Sequence, residues 1–296
     1  MFTKYVSKQY NMKESPLIII GMHRSGTTIL SKVLEEAGIF FGSKKEKNNE
    51  ALFFLNINEW IFQQLKASWD FPKPFENDDN EFLNFMTKMC TNRLRSLHRY
   101  NFLGFSKFFK YRSIQDQKEL WGWKDPRNTF TLKIWKTIFP NAKIIHIYRN
   151  PIDVSNSLKV RSKKAEYFYN SDKLINKIKQ FFLFGKIFDY WRSIRVADLH
   201  EGYKLWEEYV SKSLLEKEAL HIKYEDLLQH PHKVLKDIFS FLDLEVDEQR
   251  INRFSNSFKK DRIYAFLKNK ELVDFYNSIK EDPLLAKLEY NNVAKL

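Results

Sequence analysis

The chain has 296 residues, of which 43% are hydrophobic and 16% aromatic, and it carries one Cys and a formal net charge of +13. This hydrophobic content is ample for a large core, which argues against intrinsic disorder. A lone Cys90 cannot form an internal disulfide, and residues 1–15 lack the continuous apolar stretch of a secretory signal, so we expect a cytoplasmic protein. No apolar run approaches the ~20 residues that span a bilayer, so we expect no membrane span.

The positive charge indicates an anionic partner but does not identify it, because net charge attracts anions without choosing among them. Nucleic acid, an anionic membrane, an acidic glycan and a phosphorylated cofactor are all compatible with it. A biased composition, with Lys residues on solvated helix faces, explains most of the excess positive charge equally well. The positions of a few Arg and Lys residues must therefore indicate the function.

Short apolar runs predict buried strands at Leu17–Ile20, Trp121–Lys124, Lys143–Tyr148 and Leu220–Tyr224. Helical patterns follow these runs and cover Ile29–Ala37, Thr129–Phe139, a helix after Asn150 and Val234–Leu242. Asn150 is a predicted helix cap, and Asp153 stands where a capping-box acid would. Strands that alternate with helices predict an α/β fold with a parallel sheet flanked by helices. No linker or repeat divides the chain, so we predict one domain over residues 1–296.

Two aromatic-rich segments, residues 48–110 and 165–203, do not follow this alternation. We expect them to be helical insertions that form a substrate wall or lid. The simpler alternative is that each aromatic residue belongs to the core of helices packed on the sheet. Within the second segment, Lys177–Arg195 is a weak candidate for a membrane-surface helix, so peripheral membrane association stays open.

Between the first strand and the first helix lies the sequence GMHRSGTT, residues 21–28. Backbone N–H groups in such a loop, together with a helix N-terminus, bind a phosphate or a similar anion. The glycine spacing matches the loop of nucleoside triphosphatases, but Thr27 stands where that loop has its Lys, which disfavours a kinase or ATPase. Arg24 offers instead a guanidinium that can hold a sulfonate or phosphate through two bonds. We expect the neighbouring His23 to pack on the strand end.

The run Arg24 to Thr28 resembles the loop of sulfotransferases that use 3′-phosphoadenosine 5′-phosphosulfate (PAPS), in the bacterial, carbohydrate and tyrosylprotein branches of that family. Three further segments resemble family motifs, namely WKDP at residues 123–126, RNPIDVSNS at 149–157 and KYEDL at 223–227. In the segment 149–157, an ordinary strand-to-helix turn explains the Asn, Pro and Asp residues but gives no reason for Arg149 and Ser157. The motifs occur in family order and extend over most of the chain.

This resemblance implies a sulfotransferase fold and an enzyme that binds PAPS without a metal and releases 3′-phosphoadenosine 5′-phosphate (PAP). The residues that it assigns to the donor are Arg24, Ser25, Gly26, Thr27, Thr28, Arg149, Ser157 and Tyr224. Of these, Arg149 and Ser157 are implied to bind the 3′-phosphate, and Tyr224 to lie along the adenine. Arg24 and Lys124 are the implied catalytic cations, placed where negative charge builds up on the leaving oxygen.

Transfer to a hydroxyl acceptor, which we expect to be a sugar or a glycan-like molecule, also needs a general base. The resemblance places a Glu after a pair of Phe residues, but this chain has Leu55 at that position. Glu50 is therefore the predicted base, and Glu59 and Asp70 are alternatives that the sequence leaves open. The two insertions are expected to form the acceptor side of the site.

Two other function classes remain as alternatives. A nucleotide kinase or ATPase needs a loop Lys, which is missing, and a Mg²⁺-holding acid, for which Asp125 is the one ready candidate. A nucleic-acid-binding protein would fit the basic charge, but the usual sequence motifs are missing, so we expect no nucleic-acid partner. We also expect no metal, because His230 and His232 flank Pro231 in a pattern typical of a capped turn. The sequence does not indicate an oligomeric state.

Overall fold

The computed structural model describes residues 15–77, 79–169, 173, 175, 177 and 193–293. The aromatic side chains between Tyr167 and Trp191 lie outside this part of the chain, as does most of the candidate membrane-surface helix Lys177–Arg195. Within the described part, no helix is both long enough and apolar enough to cross a bilayer.

The described chain folds around a sheet of four parallel strands in the order β2-β1-β3-β4. The strands are β1 (Leu17–Ile20), β2 (Gly122–Lys124), β3 (Lys143–Tyr148) and β4 (Leu220–Lys223). Their register places Ile19 beside Lys124 and Ile20 beside His146. A parallel sheet is covered on both faces, which is why its strands are rich in apolar residues, and every residue of the continuous apolar run β1 is fully buried. The predicted parallel α/β fold is confirmed.

Helices and short turns connect these strands. The α-helices of the described residues are α1 (Thr27–Glu36), α2 (Leu52–Gln64), α3 (Asn80–Arg95), α4 (Tyr100–Lys110), α5 (Asn128–Ile138), α6 (Pro151–Tyr169), α7 (Leu199–Leu214), α8 (Tyr224–Gln229), α9 (Pro231–Phe241), α10 (Glu248–Ser257), α11 (Lys270–Ile279) and α12 (Pro283–Lys287). Short 3-10 helices are Lys73–Asn77, Leu97–Arg99, Ile114–Asp116, Arg195–Ala197, Lys260–Arg262 and Ala265–Lys268. Helices α2, α3 and α4 lie in the first predicted insertion, which is mostly helical as predicted.

The two faces of the sheet bury separate sets of side chains, because successive residues of a strand point to opposite faces. Leu17 and Ile19 of β1 pack with apolar residues of α1 and α9. The other two residues of β1 pack on the opposite face with residues of α2 and α5. Aromatic residues of the first insertion belong to this second layer, and Phe54 stacks on Trp123 with ring centroids 4.0 Å apart. The simpler alternative, in which the aromatic residues are core, holds for this pair.

The loop between β1 and α1 takes its shape from glycines in conformations that other residues rarely adopt. Gly21 has φ 135°, and a Cβ there would lie 2.3 Å from the carbonyl oxygen of Ile147. Gly26, with φ 97°, is the N-cap of α1, and a Cβ there would lie 2.3 Å from Cδ2 of Tyr224. The missing side chains let the loop backbone lie against the ends of β3 and β4.

The segment after α10 returns to the carboxyl ends of the strands, where Asp153 holds it. The Asp153 carboxylate accepts hydrogen bonds from the backbone N–H groups of Ala265 at 3.2 Å and Phe266 at 3.0 Å. Burial raises the pKa of Asp153, and the charge of Arg149 and these N–H donors oppose that rise. A carboxylate in the first turn of α6 therefore anchors the C-terminal part of the described chain.

Asn150 caps α6 as predicted, since its side-chain oxygen accepts from the backbone N–H of Ile152 at 3.0 Å. The predicted capping-box role of Asp153 is wrong. A capping-box acid bonds the backbone N–H of the cap residue, but that N–H of Asn150 donates to Glu225 Oε1 at 3.0 Å. The residue spacing of a capping box is therefore present without its hydrogen bond. The backbone N–H of Asn150, which such an acid would bond, already donates to the carboxylate of Glu225, just after β4.

We expect Gly26→Ala to destabilise the fold more than Gly38→Ala, a matched change at another glycine of positive φ. Both changes place a Cβ in a conformation that costs ~1–2 kcal/mol for other residues. At Gly38 nothing lies within 4 Å of the added methyl group, whereas at Gly26 it meets the Tyr224 ring, which should add about 1–3 kcal/mol. Urea unfolding followed by circular dichroism measures both free energies of unfolding, and equal losses would contradict the packing argument.

Candidate active site

The four motifs found in the sequence lie at one edge of the sheet. The loop Arg24 to Thr28 follows β1, Lys124 ends β2, Arg149 follows β3 and Tyr224 follows β4. The carboxyl ends of parallel strands lie at the same edge, and ligands of open α/β sheets bind there. The sheet topology therefore brings together segments that are up to 200 residues apart in sequence.

The ammonium group of Lys124 joins three parts of this edge. Its Nζ donates to Glu50 Oε1 at 2.8 Å, to the backbone oxygen of Asn48 at 2.7 Å and to Thr28 Oγ1 at 3.4 Å. The Thr28 hydroxyl also donates to the Asn48 oxygen at 3.0 Å. Lys124 is 1% exposed and Glu50 is 6% exposed. One buried cation thus ties β2, the phosphate loop and the start of the first insertion together.

Burial raises the pKa of Glu50 above its ordinary value, because the charged carboxylate loses its hydration. The positive charge and the hydrogen bond of Lys124 oppose this rise, while the negative charge of Glu46 adds to it. A buried carboxyl group with a raised pKa beside a specific cation is a candidate proton acceptor.

The two alternative bases have other partners. Glu59 Oε1 accepts from Arg127 Nη1 at 2.8 Å, and the Glu59 side chain is 40% exposed. Asp70 Oδ1 accepts from the Ser68 hydroxyl at 2.5 Å. Of these three carboxylates, Glu50 is the one that pairs with Lys124.

A buried polar network lies behind the end of β2, centred on Asn58 of α2. Its Nδ2 donates to Asp125 Oδ2 at 2.9 Å and to Asn128 Oδ1 at 2.8 Å. Its Oδ1 accepts from the Thr131 hydroxyl at 2.9 Å and from the Trp135 indole N–H at 3.0 Å. The amide therefore has partners for both its oxygen and its nitrogen, and it fixes α2 against α5 and the strand end that carries Lys124.

Arg24 adopts φ 70° within the loop, and its Nε donates to Ser157 Oγ of α6 at 2.8 Å. The structure thus brings two predicted donor-binding residues into direct contact. Burial lowers the pKa of the Arg24 guanidinium, and the positive charges of Arg149 and Arg262 lower it further. Cations that repel one another in this way are typical of a site that binds an anion.

Arg149 lies over the ring of Tyr224, with its guanidinium carbon 4.7 Å from the ring centroid. Its Nη2 donates to the backbone oxygen of Arg262 at 2.8 Å and lies 3.4 Å from Asp153 Oδ2. Tyr224 packs against Gly26 on its other side. The phosphate loop, the strand-end Arg and the late Tyr therefore form one continuous surface.

Among the described residues, the loop and the segment after β3 hold several buried polar atoms without a hydrogen-bond partner, namely His23 Nε2, Ser25 Oγ, Arg149 Nε, Asn150 Nδ2 and Ser155 Oγ. Buried polar groups are seldom left unsatisfied, so the hydroxyl of Ser25 and the guanidinium of Arg149 call for a ligand. Both can donate to an anion, as can the backbone N–H groups at the start of α1, where Thr27 is the first residue. The arrangement fits a ligand that carries phosphate or sulfonate groups.

Aromatic rings form a wall beside the loop. The His23 ring packs edge-to-face on Trp69 at a centroid distance of 4.9 Å, so His23 packs as expected but on a residue of the first insertion. Burial lowers the pKa of His23 well below its ordinary value, which leaves the ring neutral at pH 7. The guanidinium of Arg161 lies over the same Trp69 ring at 4.8 Å.

Three residues of this region carry no motif that identifies them in the sequence. Arg262 lies in the charged run KKDR, residues 259–262, which is its one sequence signal. Arg161 lies four residues after Ser157 on α6, so the shared helix face is a usable signal once Ser157 is assigned. Trp69 has no comparable signal, because its place depends on how the insertion folds.

The model of the Sulfotransferase family matches residues 16–248 of the chain. This stretch covers more than half of the chain and contains every site residue predicted from the sequence. The chain belongs to the sulfotransferase family. The predicted family is confirmed, and the protein is a transferase. Arg262 lies beyond the matched stretch.

Solved structures of other sulfotransferases are similar to this chain. A sulfotransferase domain from the Synechococcus PCC 7002 olefin synthase is 20% identical with a TM-score of 0.41, and 92% of this chain and 91% of that chain are covered. The sulfotransferase domain from the curacin biosynthetic pathway is 18% identical with a TM-score of 0.45, and the match covers 93% of this chain and 98% of that chain. A sulfotransferase from Alicyclobacillus acidocaldarius is 17% identical with a TM-score of 0.44, and the match covers 89% of this chain and 92% of that chain. Among curated protein sequences, none matches this sulfotransferase significantly.

We expect Lys124→Met to make the stability of this sulfotransferase fall more steeply as pH rises above 4.5, the ordinary pKa of a Glu carboxyl group. The change removes the charge and the hydrogen bond that oppose the raised pKa of Glu50, so that pKa rises further. A carboxyl group with a raised pKa in the folded state stabilises the fold at low pH, and this stability is lost as pH rises through the folded pKa. The added slope is at most about 1.4 kcal/mol per pH unit for one proton.

Thermal unfolding of wild type and Lys124→Met across this pH range measures the slope. The double variant Lys124→Met/Glu50→Gln is the control, since it lacks the titrating carboxyl group and should lose the slope that Lys124→Met adds, together with the smaller contribution of Glu50 to the wild-type slope. Parallel curves for wild type and Lys124→Met would show that the Glu50 carboxyl does not titrate in this range.

Proposed function

We propose that this sulfotransferase moves a sulfonate group from PAPS to a hydroxyl group of a sugar or glycan-like acceptor and releases PAP. The observation that carries the proposal is the convergence of Arg24, Lys124 and Arg149 at one sheet edge, around a glycine loop at a helix N-terminus. Such a loop binds phosphate through backbone N–H groups, and the three cations balance the several negative charges of PAPS.

The unsatisfied atoms of the site support PAPS as the donor. Within the described part of the chain, Ser25 Oγ in the loop and Arg149 Nε beside the Tyr224 ring are buried without a hydrogen-bond partner. We assign the loop residues Ser25 to Thr28 to the 5′-phosphate and Arg149, with Ser157, to the 3′-phosphate. Tyr224 then packs along the adenine. Arg262, whose charge acts on Arg24, joins the 3′-phosphate site as a further cation.

We expect Arg149→Ala and Arg262→Ala to weaken binding of PAP while hardly changing the binding of adenosine 5′-phosphate. A charge-assisted hydrogen bond contributes ~1.5–3 kcal/mol, or roughly ten- to a hundredfold in affinity, and it is lost only if the ligand has a 3′-phosphate. Isothermal titration without Mg²⁺ measures both affinities. Arg253→Ala, at an exposed Arg of α10 that pairs with Glu36, is the matched control and should bind like wild type.

Equal losses for both nucleotides would contradict the assignment of the 3′-phosphate site. Binding of Mg-ATP but not of PAP would favour a kinase or ATPase instead. That alternative is weakened by Asp125, its candidate Mg²⁺ ligand, because Arg127 Nε lies 3.0 Å from Asp125 Oδ1 and Asn58 bonds Oδ2.

The reaction requires that the proton of the acceptor hydroxyl is removed and that the negative charge growing on the leaving oxygen is stabilised. PAPS supplies the sulfonate group, whose bond to the 5′-phosphate oxygen breaks as the acceptor oxygen bonds sulfur. We assign Glu50 to accept the proton of the acceptor hydroxyl at Oε2, since Oε1 already accepts from Lys124. The fixed charges of Lys124 and Arg24 stabilise the oxygen that gains negative charge, as cations do in phosphoryl transfer.

A sugar-like acceptor is supported by the wall next to Arg24. His23 is partly exposed beside Arg24 and packs on the buried Trp69, and Arg161 offers hydrogen-bond donors over the Trp69 ring. Aromatic surface with a few polar groups is typical of a small-molecule site. The first insertion contributes both Trp69 and Glu50, which supports its assignment to the acceptor side.

We expect Glu50→Gln to lower turnover by ~10²–10⁴-fold while PAP binding stays at the wild-type level. Gln keeps the size of the side chain and an oxygen for Lys124 but cannot accept the proton. Transfer of labelled sulfonate from PAPS to a panel of sugars, phenols and lipids identifies an acceptor and gives the rates. Glu59→Gln is the matched control, and the base assignment fails if Glu59→Gln loses turnover and Glu50→Gln does not.

A further inference from the structure

Large apolar side chains are exposed on one side of the molecule, on the short 3-10 helix before α4 and on α4 itself. Leu97, Phe105 and Phe109 are 76%, 72% and 73% exposed, and Tyr100 is 38% exposed. We call the exposed side chains of residues 95–112 the α4 surface. Contiguous exposed apolar residues on a soluble chain mark an interaction site more often than isolated ones do.

The exposed rings lie on the outward side of a helix whose other side is core. Phe102 and Leu103 are buried, whereas Phe105 and Phe109, four residues apart, point outward with ring centroids 5.2 Å apart. Gly104, with φ 72°, interrupts the helical backbone between the buried pair and the exposed pair. Side chains exposed to this extent protrude from the surface and do not line a groove, so a partner must receive them.

Positive charge surrounds these rings. Residues 82–115 include four Arg and three Lys but no Asp or Glu. Lys110 and Arg112, at the end of α4, are exposed. Glu81 and Asp116 border this stretch in the sequence, and Asp116 accepts a hydrogen bond from the backbone N–H of Ser113 at 2.8 Å. A third acid, Glu119, pairs with Lys107 and Lys110 and accepts a hydrogen bond from Tyr111, so the stretch keeps a net positive charge. The complementary partner is therefore apolar at its interior and negative at its surface.

We propose that the α4 surface binds an anionic membrane surface. Phe105 and Phe109 insert between lipid headgroups, and Lys110 and Arg112 contact the lipid phosphates. Exposed aromatic residues among Lys and Arg are the pattern of segments that lie in a membrane interface. A second copy of the chain is a poorer partner for this surface, because it would bring like charges together.

The α4 surface is joined to the candidate active site by backbone hydrogen bonds. The N–H of Ser43 donates to the Phe102 oxygen at 2.7 Å, and the N–H of Lys44 donates to the Asn101 oxygen at 3.0 Å. The same segment continues within six residues to Glu50. A membrane that binds α4 would therefore contact the first insertion itself, on the expected acceptor side.

Vesicle co-sedimentation of the full chain tests the proposal without using enzymatic activity. We expect binding to vesicles of phosphatidylcholine with phosphatidylserine, weaker binding to phosphatidylcholine alone, and a loss of binding at high salt. Phe105→Ser/Phe109→Ser should lower the affinity by about tenfold or more. Lys110→Glu/Arg112→Glu should lower binding to the anionic vesicles and reduce its salt dependence.

Leu215→Ser is the matched control, because Leu215 is 73% exposed, as Phe109 is, and precedes β4 at the opposite edge of the sheet from β2. It should bind vesicles like wild type. All these residues are exposed, and circular dichroism with thermal unfolding should show folded variants. Vesicle binding that survives both double variants would overturn the proposal. So would a wild-type dimer, by light scattering, that becomes a monomer in Phe105→Ser/Phe109→Ser, since a second copy would then cover this surface.

Discussion

A buried ammonium group determines how the edge of the sheet is assembled. Lys124 is almost completely removed from water, so oxygen atoms must replace its hydration shell. It finds them on Glu50, on the backbone of Asn48 and on Thr28, which belong to the insertion and to the phosphate loop. Removing one member of a buried ion pair typically costs roughly 3–5 kcal/mol, because the other charge is left uncompensated. The position of the first insertion over the loop follows from this requirement.

Satisfied and unsatisfied polar groups are separated in space around this cation. Behind it, the Asn58 amide has partners for both its oxygen and its nitrogen, so that region gains nothing from a ligand. In front of it, Ser25 Oγ and Arg149 Nε are buried and unpaired within the described chain. Arg24 is held between neighbours of its own charge. Polar groups that support the site are thus hydrogen-bonded within the described chain, whereas polar groups where an anion would bind are left without a partner.

The sheet and the phosphate loop could be predicted from the sequence because their signals are local. Strands β1 and β3 are continuous apolar runs, and the loop glycines mark backbone that must approach other strands closely. Contacts between distant residues leave no such signal. Asp153 has the spacing of a capping-box acid, yet its carboxylate bonds residues 265 and 266, more than 100 positions later. The place of Glu50 beside Lys124, which distinguishes it from Glu59 and Asp70, likewise depends on how a whole insertion packs.

The C-terminal segment anchored by Asp153 also sets where the folding unit ends. The family match stops at residue 248, but Phe266, Tyr276 and Tyr290 share a buried apolar cluster with Met22 and Trp206 from within the matched stretch. A chain shortened to the family boundary would expose this cluster to water. Packing therefore fixes the anchors of this segment, whereas the charged run at residues 259–262 is exposed and lies outside the cluster. A change of Arg262 would alter the proposed anion site without disturbing this core.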